Sequence, residues 1–203
     1  MGPKERRVRE KESLRQQILD AARELFATEG YRNVSMRKIA EKIEYSPTTI
    51  YLYFNDKSEL LFSLCEETFS LLIEQFAQLN REIEDPVERL RLGLKSYVLF
   101  GLAHPNHYKV TFLEHFDHLD EAPEGKMKDS KGMMAFKNIS ETVSTCVKEG
   151  RFRPVDIDVV SQALWAAIHG VTSLLIVHVK FPWADHERVI DQVVNTMIEG
   201  LKS

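Results

Sequence analysis

Between Ser35 and Asp56 the chain carries three helix-start signals in quick succession, and this crowding leaves room only for short helices before position 56. Ser35 can accept a hydrogen bond from the open N–H groups of a helix carrying Ile39, Ala40 and Ile43. Ser46 followed by Pro47 starts another, because proline costs nothing at a first helical position where no donor is required. Asp56 with Glu59 three residues later is a capping-box-like start for a long helix through Leu60, Leu61, Leu64, Leu71 and Leu72 to about Asn80. Ahead of them Leu14, Ile18, Ala21, Ala22, Leu25 and Phe26 form an apolar stripe at i, i+4, i+7/8 and i+11, closed by Gly30, which predicts a helix over about 12–29.

The same signals continue downstream. Asp85-Pro86 opens a helix to about Ala103, His104-Pro105 breaks it, and another runs to about Leu119, where DEAPEG forms a loop. Residues 126–149 read as helical with Gly150 as the stop, and two long helices follow at about 156–179 and 184–201, separated by Phe181-Pro182-Trp183. With nine Gly, seven Pro and apolar residues mostly at helical spacing, the expected fold is all-α, about nine helices, without hairpins. A hydrophobic share of 43% with 29% charged residues is ordinary for a globular protein. No uninterrupted apolar run approaches the roughly 18 residues that span a bilayer, and the N-terminus MGPKERRVREKE is charged, so no membrane partner and a cytoplasmic location are expected. Cys65 and Cys146 lie far apart without CxxC spacing, as two reduced thiols would.

The net charge of -4 argues against a uniformly basic nucleic-acid binder, yet it is unevenly spread. Residues 1–60 hold 12 Lys and Arg against 10 Asp and Glu, leaving 15 against 21 for residues 61–203. A mildly basic front on an acidic body permits a DNA-binding head; two ordinary solvated surfaces account for the charge equally well. The stretch YSPTTIYLYF adds chemistry that core packing alone would not choose. Two short helices joined by Glu44-Tyr45, the second opening Ser-Pro, have the layout of a helix-turn-helix, whose second helix points its N-terminal residues at base edges in the major groove. Thr48 and Thr49 bring a hydroxyl and a methyl to that first turn, while Ser46, Tyr51, Tyr53 and Lys57 are donors suited to phosphates. Ile50 and Phe54, four apart, form the inward face. A ligand-free three-helix core would explain the apolar residues of this run and leave its threonines and tyrosines unexplained.

The run from Arg15 to Leu60, including ILDAARELFATEGY, SMRKIA, SPTTIYLYF and Lys57, resembles the N-terminal DNA-binding domain of the TetR/AcrR family of bacterial transcriptional regulators. The resemblance implies that Arg37, Thr48, Thr49 and Tyr51 face bases or line the groove, and that Ser35, Ser46, Tyr53 and Lys57 face phosphates. One departure stands out: the turn commonly reads Gly-Val-Ser and here reads Glu44-Tyr45-Ser46. The domain organisation this implies is a basic segment over 1–12, a helix-turn-helix domain over 13–55, and an effector-binding and dimerisation domain over 56–203. The basic KERRVREK is either an arm reaching a groove or a solvated extension of the first helix.

The body carries two further patterns. In HPNHYKVTFLEHFDHLD, His107, Thr111, His115 and His118 share a helix face, but His107 and His118 are three turns apart, about 16 Å, so at most two could share one ion and no metal site is expected. Tyr108, Phe112 and Phe116 form an adjacent aromatic face, Met133, Met134 and Phe136 are adaptable gap-fillers, and Trp165 and His169 stand four apart. With Phe100 and His104 these make a candidate small-molecule chamber, a composition that plain packing also produces. Trp165, His169 and Gly170, with the segment His104 to Tyr108, resemble a C-terminal signature of TetR regulators, which implies an effector-binding and dimerisation domain with the small molecule unspecified. The run LWAAIHGVTSLLIVHV is apolar on more than one face, which predicts burial on two sides and a homodimer through helices 156–179 and 184–201; a central core helix of a monomer gives the same pattern. No two glycines are closer than Gly125 and Gly132, which excludes GxGxxG, GxSxG and the P-loop, and no paired Glu-x-x-His occurs, so neither catalysis nor a cofactor is indicated. The expected partners are a double-stranded, roughly palindromic DNA operator and a small-molecule effector that releases it.

Overall fold

The computed structural model describes residues 2–113 and 130–203, and among them every named element is helical. The helices are α1 (Pro3–Glu29), α2 (Met36–Lys42), α3 (Pro47–Tyr51), α4 (Lys57–Glu82), α5 (Pro86–Ala103), α6 (Pro105–Tyr108), α7 (Lys131–Lys148), α8 (Ile157–Val177) and α9 (His186–Glu199). A 3-10 turn, Tyr31–Asn33, follows α1, and a π turn, Lys109–Leu113, follows α6. The predicted helix to about Leu119, the DEAPEG loop and the start of the helix from 126 lie wholly or partly outside the described residues.

These elements form two compact units, one running to Thr68 and resuming at Asn106, the other holding Phe69–Pro105 and the residues from Ser130 onward. In the first, Ile18, Leu19, Ala22 and Phe26 of α1 are buried, as are Ile39 and Ala40 of α2, Ile50 of α3, Phe54, and Leu60, Leu61 and Leu64 of α4. Each of the leucines, isoleucines and phenylalanines contributes about 1.5–3 kcal/mol of burial. The starts form as their side chains dictate. Ser35 accepts from the Lys38 N–H at 3.2 Å, Ser46 from the Thr49 N–H at 3.2 Å, and Asp56 from the Glu59 N–H at 2.7 Å, while the Glu59 carboxylate reaches back to the Asn55 N–H at 2.7 Å.

α1 begins at Pro3, well before the predicted start near position 12. Residues 4–13 are exposed, so no apolar stripe marks them, yet nothing there breaks a helix, Glu5 accepts from the Gly2 N–H at 2.9 Å, and Arg6 pairs with Glu10 one turn on at 2.7 Å. The basic segment is a helical extension of α1.

In the second unit α5 packs against α7, α8 and α9. Asp85, Ser130, Asp156 and Asp185 cap α5, α7, α8 and α9. Lys95 ties α5 to α9 through Asp191 at 2.8 Å and Glu187 at 3.3 Å. Burial pushes the Cys65 thiol of the first unit up to about 12 and the Cys146 thiol of the second up to about 11, so both are protonated near neutrality. One helix among the described residues, α8, is long and apolar enough by length and composition to cross a membrane, a correction to the expectation that none approaches it. Counting uninterrupted runs missed it because Gln162, His169 and Ser173 interrupt a helix whose average is nonetheless apolar.

Candidate nucleic-acid interface

The turn between α2 and α3 answers the question raised by Glu44. Its φ is +61°, the left-handed conformation that usually selects glycine. The Tyr45 N–H bonds the Ala40 carbonyl at 3.0 Å and the Glu44 N–H bonds the Glu41 carbonyl at 3.2 Å, the two bonds of a Schellman C-cap. The backbone is therefore that of a glycine turn, held by a residue that pays about 1–2 kcal/mol of steric strain for it.

α3 is a five-residue helix that packs against α2 and buries one side chain of its own, Ile50. Ile50 is fully buried and Phe54, just past its end, is 2% exposed, so this pair anchors the segment. Ser46, Thr48 and Tyr51 are exposed, Thr49 and Tyr53 half-buried. The Ser46 and Thr49 hydroxyls lie 2.9 Å apart, which commits Thr49 to the capping turn and leaves Thr48 and Tyr51, 52% exposed, as the outward pair. Tyr45, noted above only as a turn residue, and Leu52 are also exposed and flank the same helix.

On α2, Ser35 is exposed and spends its side-chain oxygen as the cap, and Arg37 is exposed with its guanidinium paired to Glu41 at 2.9 Å. Lys57 sits differently. Its ammonium donates to the Tyr31 carbonyl at 2.7 Å and the Val34 carbonyl at 2.9 Å and lies 4.1 Å from the centre of the Tyr31 ring. Partial burial lowers its pKa below the ordinary lysine value. This cation joins the 3-10 turn after α1 to the start of α4, a tie that only the tertiary fold reveals. A second tie joins α1 to α4: Arg23, 11% exposed, pairs with Asp20 at 2.7 Å and with Glu67.

The candidate chamber residues divide. Tyr108 and Phe112, with rings 4.9 Å apart, belong to the first unit, and Phe100 and His104, also 4.9 Å apart, to the second. Phe136, Trp165 and His169 come together in the second unit, with ring centres 6.1 and 5.9 Å apart in sequence, and Tyr97 adds its hydroxyl 3.5 Å from His169 Nδ1. Burial lowers the His169 pKa below the ordinary histidine value. Met133 and Met134 are exposed, and Phe116 lies outside the described residues. A small cleft of the second unit is lined by Phe76, Leu90, Leu94, Asn138, Ile139 and Thr142, none of them among the expected chamber residues. His107 places Nδ1 3.3 Å from the Thr68 hydroxyl, while His115 and His118 lie outside the described residues.

The comparisons with known proteins concentrate on this architecture. Residues 18–64 match the model of bacterial regulatory proteins of the tetR family, and residues 90–201 match that of a tetracyclin repressor-like C-terminal domain. The fatty acid metabolism regulator protein of Bacillus subtilis is 35% identical over 98 residues, 48% of this chain and 50% of that protein. An HTH-type transcriptional regulator of Staphylococcus aureus is 33% identical over 88 residues, 43% of this chain and 48% of that protein. The chain thus spans about half the length of the curated relatives it matches. A crystal structure of the transcriptional regulator FadR from Bacillus subtilis in complex with stearoyl-CoA superposes with a TM-score of 0.76 over 92% of this chain and 98% of that one at 22% identity, a likeness of fold. With its C-terminal half and its helix-turn-helix each matched by the family's own models, the chain belongs to the TetR/AcrR family of bacterial transcriptional regulators.

Proposed function

We propose that this chain is a cytoplasmic, ligand-responsive repressor, rather than an enzyme, that binds a roughly palindromic DNA operator as a homodimer and is released by a small molecule. The observation that carries the reading is α3: Ile50 and Phe54 hold it from one side while Thr48 and Tyr51 stand in solvent on the other. Short side chains bearing a hydroxyl and a methyl suit base edges and thymine methyls, and tyrosine reaches base or phosphate. Ser35, Arg37, Ser46, Thr49 and Tyr53 border that pair as contacts to the groove and its backbone. Lys57 serves the same interface by holding the start of α4, whose backbone N–H groups favour an anion.

Dimerisation is supported by α8, where Val159, Leu174 and Val177 are 62%, 46% and 55% exposed on the side of the helix away from its core. α9 joins the contact through polar groups, since its exposed positions include Arg188 and Gln192. Two α3 helices then meet successive major-groove faces about 34–36 Å apart or somewhat more. α4 runs through both units, so a ligand that favours a conformer with the heads differently spaced acts on operator affinity through it. Each tenfold loss of operator affinity requires about 1.4 kcal/mol of differential ligand affinity. Phe136, Trp165 and His169 with Tyr97 are the ring cluster best suited to contact the effector, with the neighbouring-in-sequence pair Phe100 and His104 a second candidate contact. Long-chain acyl-CoA is the first effector to test, because the FadR structure holds stearoyl-CoA.

The test begins with duplexes selected by the purified protein from a random pool. Tyr51→Ala is expected to weaken binding to the selected duplex by about 5- to 150-fold, the worth of 1–3 kcal/mol of base-edge contact, without changing the size of the protein in sedimentation. Unchanged binding removes α3 as the reading helix.

A further inference from the structure

The helical extension of α1 leaves five cations, Lys4, Arg6, Arg7, Arg9 and Lys11, outside the architecture described so far. Their placement is ordered. At 100° per residue, Lys4, Arg7, Lys11 and Arg15 fall within one narrow stripe, and that stripe is the continuation of the face that buries Ile18, Ala22 and Leu25 further along the same helix. Past the edge of the core, the face that was apolar becomes basic. The acids of the extension, Glu5, Glu10 and Glu12, lie to either side of the stripe, and Arg6, paired with Glu10 at 2.7 Å, lies on the opposite face with Arg9.

The position of the stripe within the first unit follows from Arg15, whose guanidinium carbon stands 5.1 Å from the centre of the Phe54 ring. Phe54 closes the α3 segment, so the stripe starts at the end of the candidate recognition helix and runs outward from it. From Arg15 to Lys4 it extends about 16 Å at 1.5 Å per residue. Lys4, Arg7 and Lys11 are all exposed, on the side of α1 that faces the helix-turn-helix.

We infer that Lys4, Arg7 and Lys11 form a second DNA contact, a row of cations laid against the phosphate backbone beside the major-groove site read by α3. The inference rests on the DNA-binding function proposed above and adds to it a sequence-independent contact on a different element. A duplex presents one charge per about 1.7 Å of its axis, so a row of this length faces several phosphates. Such contacts raise affinity for every sequence alike and leave base preference to Thr48 and Tyr51.

The test compares two double variants of equal charge on opposite faces of the extension, Arg7→Gln/Lys11→Gln and Arg6→Gln/Arg9→Gln, in the full chain. Glutamine keeps the helix propensity, and circular dichroism verifies that the helix persists. Affinity for the selected duplex and for an unrelated one is measured from 50 to 300 mM salt. In the homodimer, losing two phosphate contacts per protomer, four in all, at about 0.9 per contact lowers the slope of log affinity against log salt by about 3.6 and weakens both duplexes by about a hundredfold or more at 0.1 M salt. That result is expected for the Arg7/Lys11 pair, with less than half of it for the Arg6/Arg9 pair. Equal losses from the two pairs, which a diffuse charge effect would give, or no loss from the Arg7/Lys11 pair, overturn the contact while leaving α3 as reader. A wild-type protein without salt-dependent binding overturns the DNA function itself, and the stripe with it.

Discussion

The short helix α3 and the long helix α8 both leave side chains in solvent that their own packing does not require, and they do so with opposite chemistries. α3 buries one apolar residue, Ile50, and presents hydroxyls and a phenol; α8 buries Leu164, Ile168, Val171 and Leu175 and presents Val159, Leu174 and Val177. A surface of hydroxyls keeps its hydrogen bonds to water until a partner replaces them, as suits a hydrated, charged duplex that is bound and released. A surface of leucine and valine gains by losing water altogether, as suits a second protein copy. The contrast teaches that the chemistry of an exposed face, more than the degree of its exposure, tells what will cover it.

The strongest test of that contrast separates anchor from reader within α3. Ile50→Ala should cost about 2–4 kcal/mol of stability in chemical denaturation, because a buried methylene cluster is lost, whereas Thr48→Ala should stay within about 0.5 kcal/mol. Comparable losses at both positions would mean that Thr48 is part of the core. On α8, Leu174→Glu sets like charges against each other at the proposed contact, and a loss of about 2 kcal/mol or more of association should move the sedimenting species from dimer to monomer at micromolar protein. A variant that remains dimeric relocates the interface. Glu44→Gly relieves about 1–2 kcal/mol of left-handed strain at the turn against a glycine entropy cost of about 0.5–1 kcal/mol, so the unfolding free energy should stay level or rise by up to about 1.5 kcal/mol. A clear loss would show that the Glu44 side chain holds the turn.

The smallest effect is a pH slope in the second unit. Because burial lowers the His169 pKa, the unfolded chain takes the proton first as pH falls below about 6.5, and stability declines from there down to the folded-state pKa, below which it levels. Urea midpoints at pH 7.5 and 5.5 should therefore differ more for the wild type than for His169→Gln, in which that contribution is gone.

These contrasts also mark how far the sequence could be read. The caps at Ser35, Ser46, Asp56 and Asp85 were legible because the side chain and the N–H it accepts are two or three residues apart, so the chemistry is local. Ile50 and Phe54 were legible as an inward pair for the same reason, since both belong to one turn. The true start of α1 was hidden because a helix without an apolar stripe leaves no periodic signal, only the absence of a breaker. Lys57 could be seen to open α4, but its carbonyl partners at Tyr31 and Val34 lie more than twenty residues away and only folding brings them together. The aromatic residues of the body were visible as a class, whereas their division between two units, and the exposure of Met133 and Met134, depend on long-range packing that spacing does not encode.

The hydroxyl face of α3 is assigned to DNA and the apolar face of α8 to a second copy of the chain. Photo-crosslinking from a benzophenone side chain placed at Thr48 or at Leu174, in protein bound to its selected duplex, tests both halves at once. Protein–DNA adducts are expected from position 48 and protein–protein adducts from position 174. Adducts to protein alone from position 48, or to DNA from position 174, would contradict this assignment.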